Sequence, residues 1–382
     1  MSRATVFVLI EGLGWELMER SGLLADLAPH RYRLRTVLGG ASATVPTLLT
    51  GMAPCDHGHW MPFSYSPGES PFRRLRLLRH LPSHLTSSGP FRRALARLLA
   101  RRLGWTCELD LLHVPIALLP ELDCSGRRAL FEPGGMSPAA TAIDRVHHER
   151  VPSFVGSGPR PDAELVSAAA GALGRGDARF VLVHLRELVA ALHRAGPSSE
   201  EGACALAQCD DAVRALHRAA ADAADEVRLY VGTDRGLTEV TETVDIRRRV
   251  EAAGLVLGRD YFAFYDPTMV RLWFADAASR HHLMASIADV GRGRWLGDDQ
   301  LRLEGVYFHD HRYGEALFLL EPGLAIAPSY HSAEPLAAVG GYHPTHVGSW
   351  AGFCSSVRLG IPPALVGDLS ALIVEGARWA AG

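Results

Sequence analysis

Short uninterrupted apolar runs alternate along this chain with stretches whose apolar residues recur at helical spacing. Thr5 to Ile10 (TVFVLI) has the continuous pattern of a strand buried on both faces. It runs into Glu11-Gly12-Leu13-Gly14, where glycines permit a sharp turn, and the periodicity then predicts an amphipathic helix to about Leu27. Comparable runs recur at Arg179 to Leu185 and Val227 to Val231, with helical patterns following at about Glu200 to Ala223 and Asp245 to Ala253. Strands alternating with helices predict a three-layer α/β/α sandwich with a mostly parallel sheet. Ligands bind such sheets at the carboxyl ends of the strands, so the loops beginning at Glu11, Glu187 and Asp234 are expected to converge.

Two stretches interrupt this alternation. From Phe72 to Gly104 the chain carries nine arginines and no acidic residue, with leucines between them. That pattern predicts a helical lid, or a basic amphipathic helix pair that touches an anionic surface. Ser125 to Pro161, rich in Pro, Gly and Ser, reads as a long loop. The second interruption, about Asp260 to Ser329, holds strand-like YFAFYD and VRLWF around Pro267-Thr268-Met269, a helix at about Ala275 to Val290 and a strand at Glu315 to Leu320. The expected division is therefore a core of 1–70, 150–258 and 330–382, an Arg-rich lid at 71–149, and a small α+β cap at 259–329.

Composition narrows the classes. The 382 residues are 48% hydrophobic and 21% charged, too apolar for a disordered chain. All 39 basic residues are arginine, and the formal net charge of −3 offers no bulk-charge reason to bind nucleic acid. No apolar run is long enough for a membrane span, and the N-terminus lacks the pattern of a secretory signal, so a cytoplasmic location is expected. Six scattered cysteines without a C-x-x-C pair speak against a disulfide framework or a thiolate zinc site.

Five ordered segments then carry a resemblance: VFVLIEGLG, TVPTLLTGMAPCDHGHW (44–60), VHLRELVAALHRAGPSS (183–199), VGTDRGLTEVTETVDI (231–246) and GGYHPTHVGSW (340–350). Together with DYFAFYDPTMVRLWF and RYGEALFLLEPG they resemble the alkaline phosphatase superfamily, in its type I phosphodiesterase and nucleotide pyrophosphatase branch. The resemblance implies two metal ions, usually zinc, and a Thr or Ser nucleophile acting by the two-metal mechanism.

Carried over position by position, that machinery is incomplete. The first-strand aspartate is Glu11, and the nucleophile falls on Ala41, with Ser42 and Thr44 nearby but out of register. His193 stands at a metal-histidine position, whereas the aspartate expected four residues earlier is Val189. The strand-end Asp-His pair is Asp234-Arg235, and the histidine before the GYHP loop is Gly340. One metal position keeps only His193, short of the three or four ligands a zinc site needs. The other keeps Glu11 and Asp234 beside an arginine, which stays cationic and repels a bound ion.

Three readings follow from this count. In the first, a metal-independent enzyme uses Arg235 as the fixed positive charge on a phosphorylated, sulfated or carboxylated small molecule. Glu11 and Asp234 then orient its guanidinium, His193 serves as acid or base, and Ser42 or Thr44 donates to the anion. In the second, the chain is a pseudoenzyme, Arg235 fills the vacated space with an internal salt bridge, and the fold serves as a binding or partner module. In the third, one Mg²⁺ or Mn²⁺ on Glu11 and Asp234 supports phosphodiester or phosphate hydrolysis by water. His59, Trp60, His343 and His346 are further candidates for substrate contact, with His343 or His346 a replacement ligand or base. His57, His184, Asp266 and the Asp210-Asp211 pair read as structural, with a possible substrate contact from Thr268.

Overall fold

A computed structural model describes residues 1–80, 86, 88–107, 109–288 and 290–382. Its central sheet has six strands in the order His30–Leu34, Ala351–Ser355, Glu226–Thr233, Arg3–Ile10, Phe180–Leu185, Ser153–Gly156. Only Ala351–Ser355 runs against its neighbours, so the sheet is mostly parallel. Arg3–Ile10 lies at the middle, and its side chains divide between the two faces, as strand geometry requires. Val6, Val8 and Ile10 join a cluster with the helices Asp162–Gly174, Glu187–Ala195 and Glu200–Ala223. Phe7 and Leu9 pack on the opposite side against Ala41–Thr50, Ala142–His148 and Leu369–Ala381. Each such fully buried side chain contributes about 1.5–3 kcal/mol. The three-layer α/β/α architecture follows from this division.

A second, antiparallel sheet holds Tyr261–Tyr265, Met269–Phe274, Ala316–Leu320 and Gly293–Leu296 in that order. The Ala277–Ala288 helix packs on it. The same apolar cluster takes in Phe63, Phe72, Leu95, Leu111 and Leu122, so the Arg-rich segment and the second sheet share one core. That segment is a 3-10 stretch at Arg73–His80 and an α-helix at Gly89–Leu103. Residues 81–85 and 87, on which the helix-pair reading also falls, lie outside the described residues.

Local boundaries correct the sequence reading in three places. The first helix, Trp15–Ser21, ends at Gly22 in the left-handed conformation, short of Leu27. Glu187 opens a helix directly rather than a loop. The stretch read as a loop from Ser125 to Pro161 contains the Ala142–His148 helix and the edge strand Ser153–Gly156. That strand is four residues long and only partly buried, too short to show a periodicity.

Candidate functional site

The register of the central strands builds the site. Ile10 pairs with Thr233 on one side and Leu185 on the other. The next residues, Glu11, Asp234 and Arg186, therefore emerge side by side at the carboxyl edge of the sheet. Gly12 donates its backbone N–H to Asp234 Oδ1 at 2.8 Å, tying the two loops together. Gly14, at φ 66°, lies so close to the Asp234 loop that a Cβ there would stand 2.5 Å from the Gly236 Cα. Only glycine fits that approach.

Arg235 occupies the centre of this edge. Its Nη1 donates to Asp234 Oδ2, and its Nη2 lies 3.5 Å from Glu11 Oε1. Thr44 Oγ1 also donates to Asp234 Oδ2, at 3.2 Å, and Thr36 Oγ1 donates to the Asp234 carbonyl at 3.0 Å. Glu11, Asp234 and Arg235 expose only 9%, 3% and 6% of their surface, so the cluster is nearly shut off from water. Gly340 is part of the same packing: a Cβ on it would sit 2.8 Å from Arg235 Nε. The guanidinium stem therefore runs through the space in which any larger residue at 340 would begin.

The other oxygen of Glu11 faces the far side. Oε2 lies 3.5 Å from Arg186 Nε and 3.6 Å from His184 Nε2. Burial alone would raise the Glu11 carboxyl, but Arg235, His184, Arg186 and His193 outweigh it and hold the group below the ordinary carboxylate range. Burial likewise opposes charge on Arg235, and Asp234 and Glu11 reverse the balance and raise it. His184 is depressed by burial, its ring stacked 4.9 Å from Phe131 and bonded to Ser157 through Nδ1 at 3.2 Å. It reads as the structural histidine expected from the sequence, yet it also touches the site through Glu11.

His193 is half-buried near the end of the Glu187–Ala195 helix. Its Nδ1 lies 2.7 Å from the Ala338 carbonyl. A carbonyl can only accept, so Nδ1 carries the proton and Nε2 keeps its lone pair. Burial first, then Arg235, lowers its pKa, and the bond to Ala338 and the charge of Glu11 only partly offset that.

Of the remaining candidates, Thr44 stands beside Arg235 through Asp234, and the others do not gather round it. Ser42 Oγ donates to the Trp60 carbonyl at 2.9 Å, and Thr44 is fully buried. Trp60, only 1% exposed, sits under Phe308 and Tyr313 with its indole N–H on the Leu38 carbonyl, a core position rather than a contact surface. His59 is half-buried and depressed by burial and Arg312. His343 bonds Thr345 through Nδ1 and lies 3.6 Å from Glu304, and His346 has a buried Nδ1 without a hydrogen-bond partner among the described residues. Ala41 begins the Ala41–Thr50 helix and offers no hydroxyl. Val189 lies against Gly12, far too apolar to serve as a ligand.

Two groups escaped sequence reasoning. Arg186 follows the RFVLVHL run, and counting to the strand end would have placed it beside Glu11. The second is a fully buried pair in the second sheet, Arg271 Nε to Asp266 Oδ2 at 2.7 Å, with His331 Nε2 on Oδ1 at 3.1 Å. Thr268, a possible substrate contact by sequence, instead donates to the Gly341 carbonyl at 3.1 Å. Among the described residues, no three His, Cys, Asp or Glu side chains stand together as a metal site.

The sequence model for type I phosphodiesterase / nucleotide pyrophosphatase matches residues 137–335, just over half the chain. The chain belongs to this family. The fold agrees: murine ectonucleotide pyrophosphatase/phosphodiesterase 5 superposes with a TM-score of 0.66 over 98% of this chain and 95% of that one, at 12% identity. Its human counterpart gives 0.68 at 10% identity with the same coverage. The murine protein in an inactive threonine-to-alanine form, in complex with AMP, gives 0.67 at 12% identity over the same 98% and 95%. No curated protein matches the sequence. The phosphodiesterase family is thus shown, and what this member does within it rests on its own side chains.

Proposed function

We propose that this chain is a phosphodiesterase-family member that binds a phosphate-bearing, nucleotide-type small molecule without hydrolysing it by two-metal chemistry. The observation that carries this reading is the buried Arg235, engaged by Asp234 and facing Glu11. A pair of divalent ions, as the family implies, does not fit these residues. Asp234 has both oxygens bonded, Arg235 stands between the two carboxylates, and its stem fills the space over Gly340. A single Mg²⁺ needs about six oxygen ligands in near-octahedral array, and Glu11 and Asp234 already face cations.

The nucleophile is missing in the same way. The family resemblance assigns that role to Ala41. The Ser42 hydroxyl is turned to the Trp60 carbonyl. Thr44, although it shares Asp234 Oδ2 with Arg235, is fully buried and gives its proton to that carboxylate. The murine protein of the same fold, in an inactive threonine-to-alanine form, is in complex with AMP. The rim keeps groups suited to an anion. Arg186 leaves 45% of its side chain exposed beside Glu11, and the Ala41–Thr50 helix presents its amino end, which favours negative charge. Arg186 is the residue assigned to the phosphate.

A metal-free enzyme is the second reading, favoured by one observation: the proton on His193 Nδ1 leaves Nε2 as an acceptor beside the charged cluster. That group accepts a proton from a bound hydroxyl in an acid–base step. One set of measurements separates the readings. The purified chain is given bis(p-nitrophenyl) phosphate with Zn²⁺, Mg²⁺, Mn²⁺ or chelator, and its melting temperature is followed against AMP. Binding without turnover is expected, with a rise in melting temperature that Arg186→Ala abolishes. Ion-dependent turnover contradicts the proposal, and turnover unaffected by chelator but lost in His193→Ala installs the second reading in its place.

A further inference from the structure

The Arg-rich segment plays no part in the site just described, and its charge is unlike the rest of the chain. Between Ser70 and Glu108 stand nine arginines and no carboxylate, while the other 30 arginines face 42 acidic residues. A chain of net charge −3 therefore carries +9 in one segment and −12 elsewhere. Such asymmetry marks contact with an anionic surface.

The structure shows which arginines are engaged within the fold. Arg92 points inward and donates to the carbonyls of Leu111, Leu112 and Val114 at 2.9, 2.8 and 2.7 Å, fastening its helix to the following segment. Arg76 pairs with Glu121. Arg74, Arg93, Arg97, Arg101 and Arg102 are exposed and have no carboxylate partner among the described residues. Arg93, Arg97 and Arg101 recur every four residues along the Gly89–Leu103 helix, a stripe of like charges that repel one another. Elsewhere some exposed arginines are paired, as in Arg35–Glu304 and Arg378–Glu149, and others such as Arg145 and Arg218 have no carboxylate partner among the described residues. What sets this segment apart is that its cations are clustered with no carboxylate among them.

The opposite stripe, Phe91, Leu95, Leu99 and Leu103, packs into the apolar cluster, so the helix is fixed with its basic face outward. Among the cations stand two leucines, Leu77 and Leu98, 83% and 51% exposed. Cations interleaved with exposed leucine are the composition of an interfacial surface, in which the apolar groups enter the acyl boundary and the cations meet headgroups. Nucleic acid would take the arginines but has no use for the leucines. No helix among the described residues is long and apolar enough to cross a membrane. We propose that this face docks peripherally on an anionic lipid bilayer.

Co-sedimentation of the full chain with vesicles tests this. One set is phosphatidylcholine alone and the other contains a third phosphatidylserine. Binding only to the anionic vesicles is expected, weakened about tenfold or more when salt rises from about 0.1 to about 0.5 M. R93E/R97E/R101E abolishes it, and R93Q/R97Q/R101Q, which removes the repulsion without reversing charge, weakens it by at least about tenfold at an unchanged or higher melting temperature. Leu77→Ser with Leu98→Ser lowers vesicle binding severalfold. Equal binding to both vesicle sets, or full binding by the glutamine variant, overturns the proposal. So does tighter binding to a DNA duplex that ignores the leucine changes, since that assigns the face to nucleic acid.

Discussion

Arg235→Ala is expected to cost about 3–5 kcal/mol of folding stability, read as a fall in the urea midpoint at pH 7.5. Removal of Arg235 leaves buried Asp234 without a cation among the described residues and Glu11 with Arg186 on one oxygen only, and an uncompensated buried charge is among the costliest defects in a fold. The loss is conditional on those charges. Glu11→Gln placed in the Arg235→Ala background recovers part of it, because a neutral amide tolerates burial better than a carboxylate. The two substitutions are therefore non-additive, as expected for side chains in contact. A surface arginine such as Arg175, paired with Asp177 at high exposure, gives under about 1 kcal/mol on the same substitution. If Arg235→Ala behaves like that surface control, the guanidinium is not the charge that holds this sheet edge together.

The second large effect is on acid stability. His57 accepts the His59 N–H at Nδ1 and donates from Nε2 to Thr47 at 3.0 Å, so it is held neutral, and burial with repulsion from His59 lowers it from 6.5 to about 4. Burial also lowers His184 and His193. In each case the unfolded chain takes up the proton first. The stabilisation is therefore complete above 6.5 and declines as pH falls toward the folded value. For His57 alone, a separation of that size corresponds to about 3 kcal/mol by about pH 4. Glu11 and Asp266, held low against burial by neighbouring cations, act in the same sense at lower pH. Their contribution is present above the ordinary values of 4.5 and 3.8 and is lost as pH falls through the folded ones. Urea midpoints are expected to fall between pH 7.5 and pH 5, before any carboxylate of ordinary pKa titrates. In His57→Gln, whose amide can make the same two bonds, that fall is shallower. A parallel fall in the variant contradicts the assignment.

Much of this fold can be read directly from the sequence, and the reasons are local. TVFVLI, RFVLVHL and VRLYV are central strands buried on both faces, so their apolar runs are continuous and unmistakable. The Glu200–Ala223 helix carries a regular apolar stripe, and its bounds agree with the expected stretch. Ser153–Gly156 was hidden because an edge strand of four residues among Pro and Gly has no pattern to detect. The meeting of Glu11, Asp234 and Arg235 was likewise legible, since adjacent parallel strands deliver their terminal residues to one place. Other features depended on long-range packing. Trp60 looked available for a ligand until the Phe308 and Tyr313 rings closed over it, and Arg271 lay concealed inside an apolar strand until Asp266 and the Phe63 carbonyl supplied its partners. The fit of Gly340 against Arg235 belongs to this second kind, because 105 positions of chain separate two residues that share one space.

The central claim is that a guanidinium takes the place of a divalent ion at the sheet edge. It is tested most directly by equilibrium dialysis of the wild-type chain against zinc near neutral pH, with bound metal counted by mass spectrometry after buffer exchange. Zinc well below one equivalent is the predicted result, with no change in Asp234→Asn. One or two tightly held ions per chain, lost in that same variant, would show that Arg235 yields to metal and would contradict the account.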